Sequence, residues 1–294
     1  MRFGGGKGDA PTPFPRARRS QTISRQDDPA RNGANGDSAF DSAARIVFAL
    51  LGLLTIIHGL RQFLDADVDA ALVRKLAFTP GNFSAFFAPN AFAHAADPMI
   101  AAAPREAAEL IGAAPRWFSP LTYAFLHGSW SHLGMNAVWL LAFGVALARR
   151  FGAARFYLLF AGASIAGALA HFLAHPFGLD PVIGASAGVS GAMGAAARFA
   201  FAANGPLGPA PATRDLSSYR RPAPPLSRFW RESRAVTFLA FWFVANFIFG
   251  ALAPLAMGDG APIAWEAHIG GMIFGLLAFS LLDPAPNRLH DATA

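Results

Sequence analysis

The chain has 294 residues, of which 54% are hydrophobic and only 14% charged, whereas soluble domains carry roughly 25% charged residues. It contains 28 Phe and 29 Gly, and glycine is more frequent in membrane helices than in soluble ones. This composition excludes a soluble globular protein and predicts a polytopic membrane protein. There is no cysteine, so disulfides and thiolate catalysis are excluded as well.

The basic balance of the chain, with a net charge of +6 and a sequence pI of about 10.6, does not indicate a nucleic-acid-binding protein. The basic residues are almost all arginines that lie between apolar segments, which is the pattern of cytoplasmic loops in membrane proteins. We therefore expect membrane lipid, and no nucleic acid, among the partners of the chain.

Residues 1–42 come first and are predicted to form a disordered tail, because they are polar and lack apolar periodicity. Six apolar segments follow, each with about the 20 residues that a membrane-spanning helix needs. The predicted fold class is therefore an all-α polytopic membrane protein, a bundle of six transmembrane helices. The predicted spans are residues 43–64, 121–148, 153–175, 183–202, 235–257 and 264–282.

The charges of the loops set the orientation of these spans. An even number of spans places both termini on one side, and the arginine-rich tail and loops make that side cytoplasmic. Residues 43–283 form the predicted membrane domain, and residues 284–294 a short cytoplasmic tail. The proline-rich residues 203–234 are predicted to be a flexible cytoplasmic linker. For residues 65–120, the outer loop, two interpretations stay open: amphipathic pieces in the membrane interface, or an exposed loop.

Polar side chains recur near the start of every span that enters from the outer face. They are His132 and Asn136 in the second span, Ser186 in the fourth and His268 in the sixth. With a rise of about 1.5 Å per helical residue, Ser186 and His268 lie at nearly the same depth. One such residue alone is typical of a satisfied interhelical hydrogen bond. Three clusters at matched depth instead predict nucleophilic catalysis inside the membrane.

The spacing within the helices supports that prediction. His132 and Asn136 are four residues apart, so both can aim side-chain donors at one point, as an oxyanion hole requires. Ser186 lies at a helix N-terminus, where backbone N–H groups stabilise a nearby anion. Small residues around Ser186, together with Gly271 and Gly275, let the fourth and sixth helices approach closely. That approach would bring the Ser186 hydroxyl within reach of the His268 ring.

Three motifs, at residues 127–136, 184–194 and 267–275, are together similar to those of the rhomboid family of intramembrane serine proteases. The resemblance covers about residues 43–283 and implies a rhomboid-type bundle of six helices. It also implies a serine endopeptidase that hydrolyses peptide bonds in or near the transmembrane segments of its substrates, without cofactor or metal. The loop charges and the Ala/Arg-rich composition favour a multi-pass protein of the bacterial plasma membrane, and an organelle membrane stays open as the alternative.

By the same resemblance, Ser186 is the nucleophile and His268 the general base. His132, Asn136 and the Ser186 amide would stabilise the oxyanion. The alternative function is that of a non-catalytic rhomboid-like protein that binds transmembrane partners.

The identity of the nucleophile has a competitor on the same helix face. The short family pattern Gly-x-Ser-Gly fits Ser190, which Gly191 follows, better than Ser186, which Ala187 follows. The glycines five and eight residues after Ser186 favour Ser186 instead, and a contribution from Ser190 stays open.

Three further residues, His171, His175 and Glu266, are predicted to lie near the outer surface. His171 and His175 form an HxxxH pair without an evident third ligand, which favours interfacial histidines over a zinc site. Glu266 precedes His268 by two residues and so faces away from it on a helix, which makes it a poor candidate for orienting that ring. Asn246 in the fifth span is predicted to make packing contacts or an interhelical hydrogen bond.

Overall fold

A computed structural model describes residues 1, 29–102, 110, 113–202, 205–207, 216–248 and 264–284. Within these residues the regular structure is helical, and the prediction of an all-α chain is confirmed; one isolated bridge joins Phe78 and Val182. The α-helices are α1 (Pro29–Arg61), α2 (Ala66–Leu76), α3 (Pro80–Phe87), α4 (Pro89–Ala102), α5 (Ser119–Thr122), α6 (Trp130–Trp139), α7 (Val145–Ala174), α8 (Ser186–Ala200), α9 (Leu226–Phe229), α10 (Ser233–Phe247) and α11 (Trp265–Leu282).

Among the described residues, three helical stretches are long and apolar enough to cross a membrane, and α10 is a shorter apolar helix. The three long stretches are Ser42–Arg61 of α1, Trp130–Ala174 and α11. Trp130–Ala174 has 45 residues, more than twice the about 20 that one crossing needs, and joins α6 to α7 through a π-helical turn, Leu140–Gly144. Inside it, Gly152 leaves the helical conformation with φ of 74°, a value that favours glycine. That break separates the predicted second and third spans.

Several predicted boundaries differ from those observed. Helix α1 begins at Pro29, so residues 29–42 are helical rather than part of a disordered tail; residues 2–28 lie outside the described part. The long helix of the second span begins at Trp130 rather than near residue 121, because the Ser129 side chain caps it by accepting a hydrogen bond from the His132 amide. Residues 249–257 of the predicted fifth span and 285–294 of the predicted tail also lie outside the described residues.

The segment predicted to be the outer loop includes α2, α3 and α4 among its described residues. Five residues of α3 are buried, and the Ser84 hydroxyl donates a hydrogen bond to the carbonyl of Pro176. The Gly81 amide donates to the Gly178 carbonyl at 2.8 Å. These contacts exclude a wholly exposed loop and tie α3 to the segment that leads from α7 to α8.

Helix α8 is the centre of the bundle, since every residue from Ala187 to Ala200 is buried. It packs mainly against α11 and α7. A Cβ atom added at Gly271 would collide with the Ala187 carbonyl, and one added at Gly275 with the Gly191 carbonyl. The predicted close approach of these two helix backbones is therefore confirmed.

Buried arginines hold the end of the bundle at the C-terminus of α8. The Arg150 guanidinium, only 1% exposed, pairs with the Asp283 carboxylate at 2.7 Å and donates to the carbonyls of Tyr219 and Arg221. Arg198 donates to the Leu276 and Pro224 carbonyls at 2.8 and 3.1 Å. These guanidinium groups thus hold three backbone carbonyls in the second part of the predicted linker, between residues 219 and 224.

We expect Gly275→Ala to lower the free energy of unfolding by about 1–3 kcal/mol, because the new methyl group must push α8 and α11 apart. Gly52→Ala is the matched control, since a Cβ there meets no atom within 4 Å. Unfolding of both variants in mixed detergent micelles measures the difference. Equal stability of the two variants would contradict the tight α8–α11 contact.

Candidate active site

Ser186 is the first residue of α8, two residues after Gly184, where the backbone turns. Gly184 has φ of 126°, which side-chain-bearing residues rarely adopt, and its amide donates to the Tyr123 carbonyl at 3.0 Å. The buried Tyr123 hydroxyl in turn donates to the Ser164 carbonyl on α7 at 2.8 Å. This chain of contacts fixes the start of α8. It leaves Ser186 partly exposed there, whereas Ser190 is only 4% exposed one turn deeper.

The structure brings Ser186 and His268 together. Oγ of Ser186 lies 2.7 Å from Nε2 of His268, the fourth residue of α11. The two residues are 82 positions apart in the chain, and the glycine contacts between α8 and α11 set their separation. A hydroxyl hydrogen-bonded to an imidazole is the arrangement that activates a serine for nucleophilic attack.

A third side chain, Asn246 on α10, extends this hydrogen-bonded pair. Its Oδ1 lies 2.6 Å from Nδ1 of His268, and its Nδ2 donates to the Trp265 carbonyl at 3.2 Å. Because the carbonyl of Trp265 can only accept, the amide oxygen of Asn246 must face the ring, and Nδ1 of His268 must carry the proton. Nε2 is then a lone-pair acceptor for the Ser186 hydroxyl.

The interhelical hydrogen bond predicted for Asn246 is confirmed. The sequence does not predict that its partner is the His268 ring. The available signal was a polar amide within an apolar segment, which marks a functional candidate. The sequence does not show which helix the amide faces.

His132 and Asn136 lie on α6, beside the turn that leads into α8. Nε2 of His132 is 2.7 Å from the position that a Cβ of Gly184 would occupy, so the ring borders the turn two residues before Ser186. Asn136 is 5% exposed, and its Nδ2 has no hydrogen-bond acceptor within the described part of the chain. A buried donor without an acceptor costs about 1–3 kcal/mol. The amide is therefore a ready donor for an anion formed nearby.

Arg61 holds the loop before α6 in place from the other side. Its guanidinium donates to the His127 carbonyl at 2.8 Å and to both carboxylate oxygens of Asp69 at 2.7 and 2.9 Å. The hydrogen bonds from Arg61 hold the pKa of Asp69 below its usual value. The buried His127 ring lies 5.1 Å from the His132 ring, measured between centroids. The end of α1 thereby supports the position of His132.

Comparison with known proteins gives matches of one kind. A family model described as Rhomboid domain matches residues 114–283, more than half of the chain. The chain is 37% identical over 79 residues to rhomboid protease GluP of Bacillus subtilis. The matched segment covers 27% of the chain and 15% of GluP. It is 37% identical over 79 residues to YdcA of the same organism, 26% of the chain and 39% of YdcA. The match to the mitochondrial rhomboid protein 1 of Saccharomyces cerevisiae is 39% over 70 residues, 24% of the chain and 20% of that protein.

The tautomer of His268 can be measured directly. We expect long-range ¹H–¹⁵N correlations of histidine-labelled protein to show a proton on Nδ1 and a lone pair on Nε2. Asn246→Ala removes the acceptor at Nδ1, so the ring should then populate both tautomers. Asn136→Ala, which leaves the Asn246 contact intact, is the control. If the neutral imidazole of His268 in the unaltered protein carries its proton on Nε2, the assignment is contradicted.

Proposed function

The chain belongs to the rhomboid family, and on that premise we propose that it is an intramembrane serine endopeptidase with Ser186 as nucleophile and His268 as general base. The observation that carries this proposal is the 2.7 Å contact between Oγ of Ser186 and Nε2 of His268. Partial exposure of both side chains supports it, since substrate and water must reach the reacting atoms. The buried Ser190 has no described hydrogen bond to His268.

In the proposed reaction, Nε2 of His268 accepts the hydroxyl proton as Oγ of Ser186 attacks the carbonyl carbon of the scissile bond. The same nitrogen then returns the proton to the leaving amine. Water next hydrolyses the acyl-enzyme ester, again with His268 as the base. Asn246 takes the position of the third group that orients the base. It fixes the tautomer but, being neutral, contributes less stabilisation of the imidazolium than a carboxylate would.

The oxyanion of the tetrahedral intermediate needs preorganised donors. We assign this role to His132, Asn136 and the backbone amide of Ser186. Two observations support the assignment: Nδ2 of Asn136 has no acceptor in the part of the chain that the structure describes, and Ser186 lies at the start of α8.

The proposal includes the arrangement in the membrane. Six spans with both termini in the cytoplasm would place the serine and the histidine near the outer face, within a membrane domain of residues 43–283. The arginine-rich loops and the backbone break at Gly152 support this arrangement. The proposed substrates are transmembrane proteins cut near the outer end of a span, and the proposed location is the bacterial plasma membrane.

Cleavage of a single-span model substrate tests the two central residues. We expect Ser186→Ala and His268→Ala each to reduce cleavage by about 10⁶-fold. Ser190→Ala is the matched control on the same helix face and should retain most of the activity. Cleavage that survives Ser186→Ala but disappears in Ser190→Ala would overturn the choice of nucleophile.

A fluorophosphonate probe separates the enzyme from a binding protein that lacks catalysis. The enzyme is expected to be labelled in a manner that depends on Ser186 and His268. A folded protein that is not labelled, yet still captures transmembrane partners, would support the non-catalytic alternative.

Asn136→Ala tests the oxyanion hole separately from the nucleophile. We expect kcat to fall by about 10²–10³-fold with a much smaller change in KM, because the lost hydrogen bond forms only with the oxyanion. Ser186 should still react with the fluorophosphonate, more slowly. Unchanged kcat would show that the Asn136 amide does not meet the oxyanion.

A further inference from the structure

A second cluster of polar side chains lies beside the candidate active site and takes no part in the proposed reaction. His171 is in the last turn of α7, His175 follows that helix, and Glu266 is in the first turn of α11. Nδ1 of His171 lies 3.3 Å from Oε2 of Glu266, and Nε2 of His175 lies 2.9 Å from Oε1 of the same carboxylate. Glu266 thus contacts these two histidines, from which it is separated by 95 and 91 residues of sequence.

The donor types are those of a zinc site. Two imidazoles and one carboxylate are among the common ligand sets of this ion. Bonds of about 2.0–2.1 Å in a tetrahedral site put ligand atoms about 3.3–3.4 Å apart. The possible ligand atoms of these three residues all lie within 4.8 Å of one another. Small side-chain rotations therefore suffice to close them around one ion.

The sequence disfavoured zinc because the HxxxH pair had no third ligand. The structure supplies one from a different helix. His175 directly follows the last residue of α7, and its amide donates to the His171 carbonyl, so both side chains lie at the end of α7 that faces Glu266 at the start of α11. The missing ligand is thus close in space but distant in the chain.

We propose that His171, His175 and Glu266 bind one divalent cation of the zinc class, with water as the fourth ligand. Each imidazole binds in its neutral form, with the ring nitrogen that faces Glu266 carrying a lone pair and the other nitrogen carrying the proton. The side chains of His171 and Glu266 are 13% and 16% exposed, and that of His175 is 51% exposed. The ion can therefore enter past His175 and be held by the two less exposed groups.

The bound ion would fasten the end of α7 to the first turn of α11. That turn also carries His268, two residues after Glu266, so the ion would stabilise the helix that presents the proposed general base. The ion takes no part in bond breaking.

Binding is tested on the full, tag-free chain in detergent micelles, after treatment with a chelator. Zinc is titrated, bound metal is measured by elemental analysis after desalting, and the thermal unfolding midpoint is recorded. We expect one zinc per chain and a higher midpoint with zinc. Glu266→Gln and His175→Asn should each weaken binding by at least about 10–100-fold and abolish the rise in the midpoint. His94→Asn, at an exposed histidine of α4 outside the cluster, is the matched control and should bind as the unaltered chain does.

X-ray absorption at the zinc edge adds a test of the ligand set. The expected shell has two imidazole nitrogens and carboxylate and water oxygens at about 2.0–2.2 Å. No zinc binding by the unaltered chain, or equal binding by Glu266→Gln, His175→Asn and the unaltered chain, would overturn the site. If Glu266→Gln fails to fold, the exposed His175→Asn variant decides. None of these measurements depends on proteolysis, so failure here leaves the proposed protease intact, and the reverse also holds.

Discussion

The close contact of the α8 and α11 backbones is the constraint on which the rest of the structure depends. Gly271 and Gly275 have no room for a side chain, because the carbonyls of Ala187 and Gly191 occupy that space. In lipid there is no hydrophobic driving force for apolar helices to associate, so van der Waals contact between small residues must hold them together. The same contact fixes the spacing of Ser186 and His268, which lie within one turn of it on either helix. One contact between two helices therefore determines both the packing of the bundle and the geometry of the candidate site.

The sequence predicted this part of the molecule well, because local patterns carry it. Apolar length, small-residue spacing and motif order were sufficient to predict helices and to bring Ser186 and His268 into one layer. Helix ends were predicted less well. The cap formed by Ser129 shortens the second apolar segment, and α1 extends back to Pro29 through polar residues whose composition favoured a tail.

Outside the small-residue motifs, the partners of contacts between distant segments could not be predicted. Asn246 faces His268 because of the position of α10, which no spacing within α10 reveals. Glu266 meets two histidines because α7 ends where α11 begins. The segment at 216–234 resembles a linker in composition, yet it packs because Arg150 and Arg198 donate to its carbonyls. In each case the partner is set by the fold rather than by neighbouring residues.

The Nδ2 group of Asn136, which has no acceptor among the described residues, has a consequence for how this fold balances stability against activity. A buried donor without an acceptor makes the resting protein less stable than an apolar side chain of the same shape would. The proposed function requires that donor, since its hydrogen bond would form only when negative charge develops next to Ser186. Selection for a more stable fold and selection for catalysis would thus act in opposite directions at this one residue. An apolar residue in place of Asn136 is therefore the kind of substitution that would make a member of this family more stable while removing its catalytic activity.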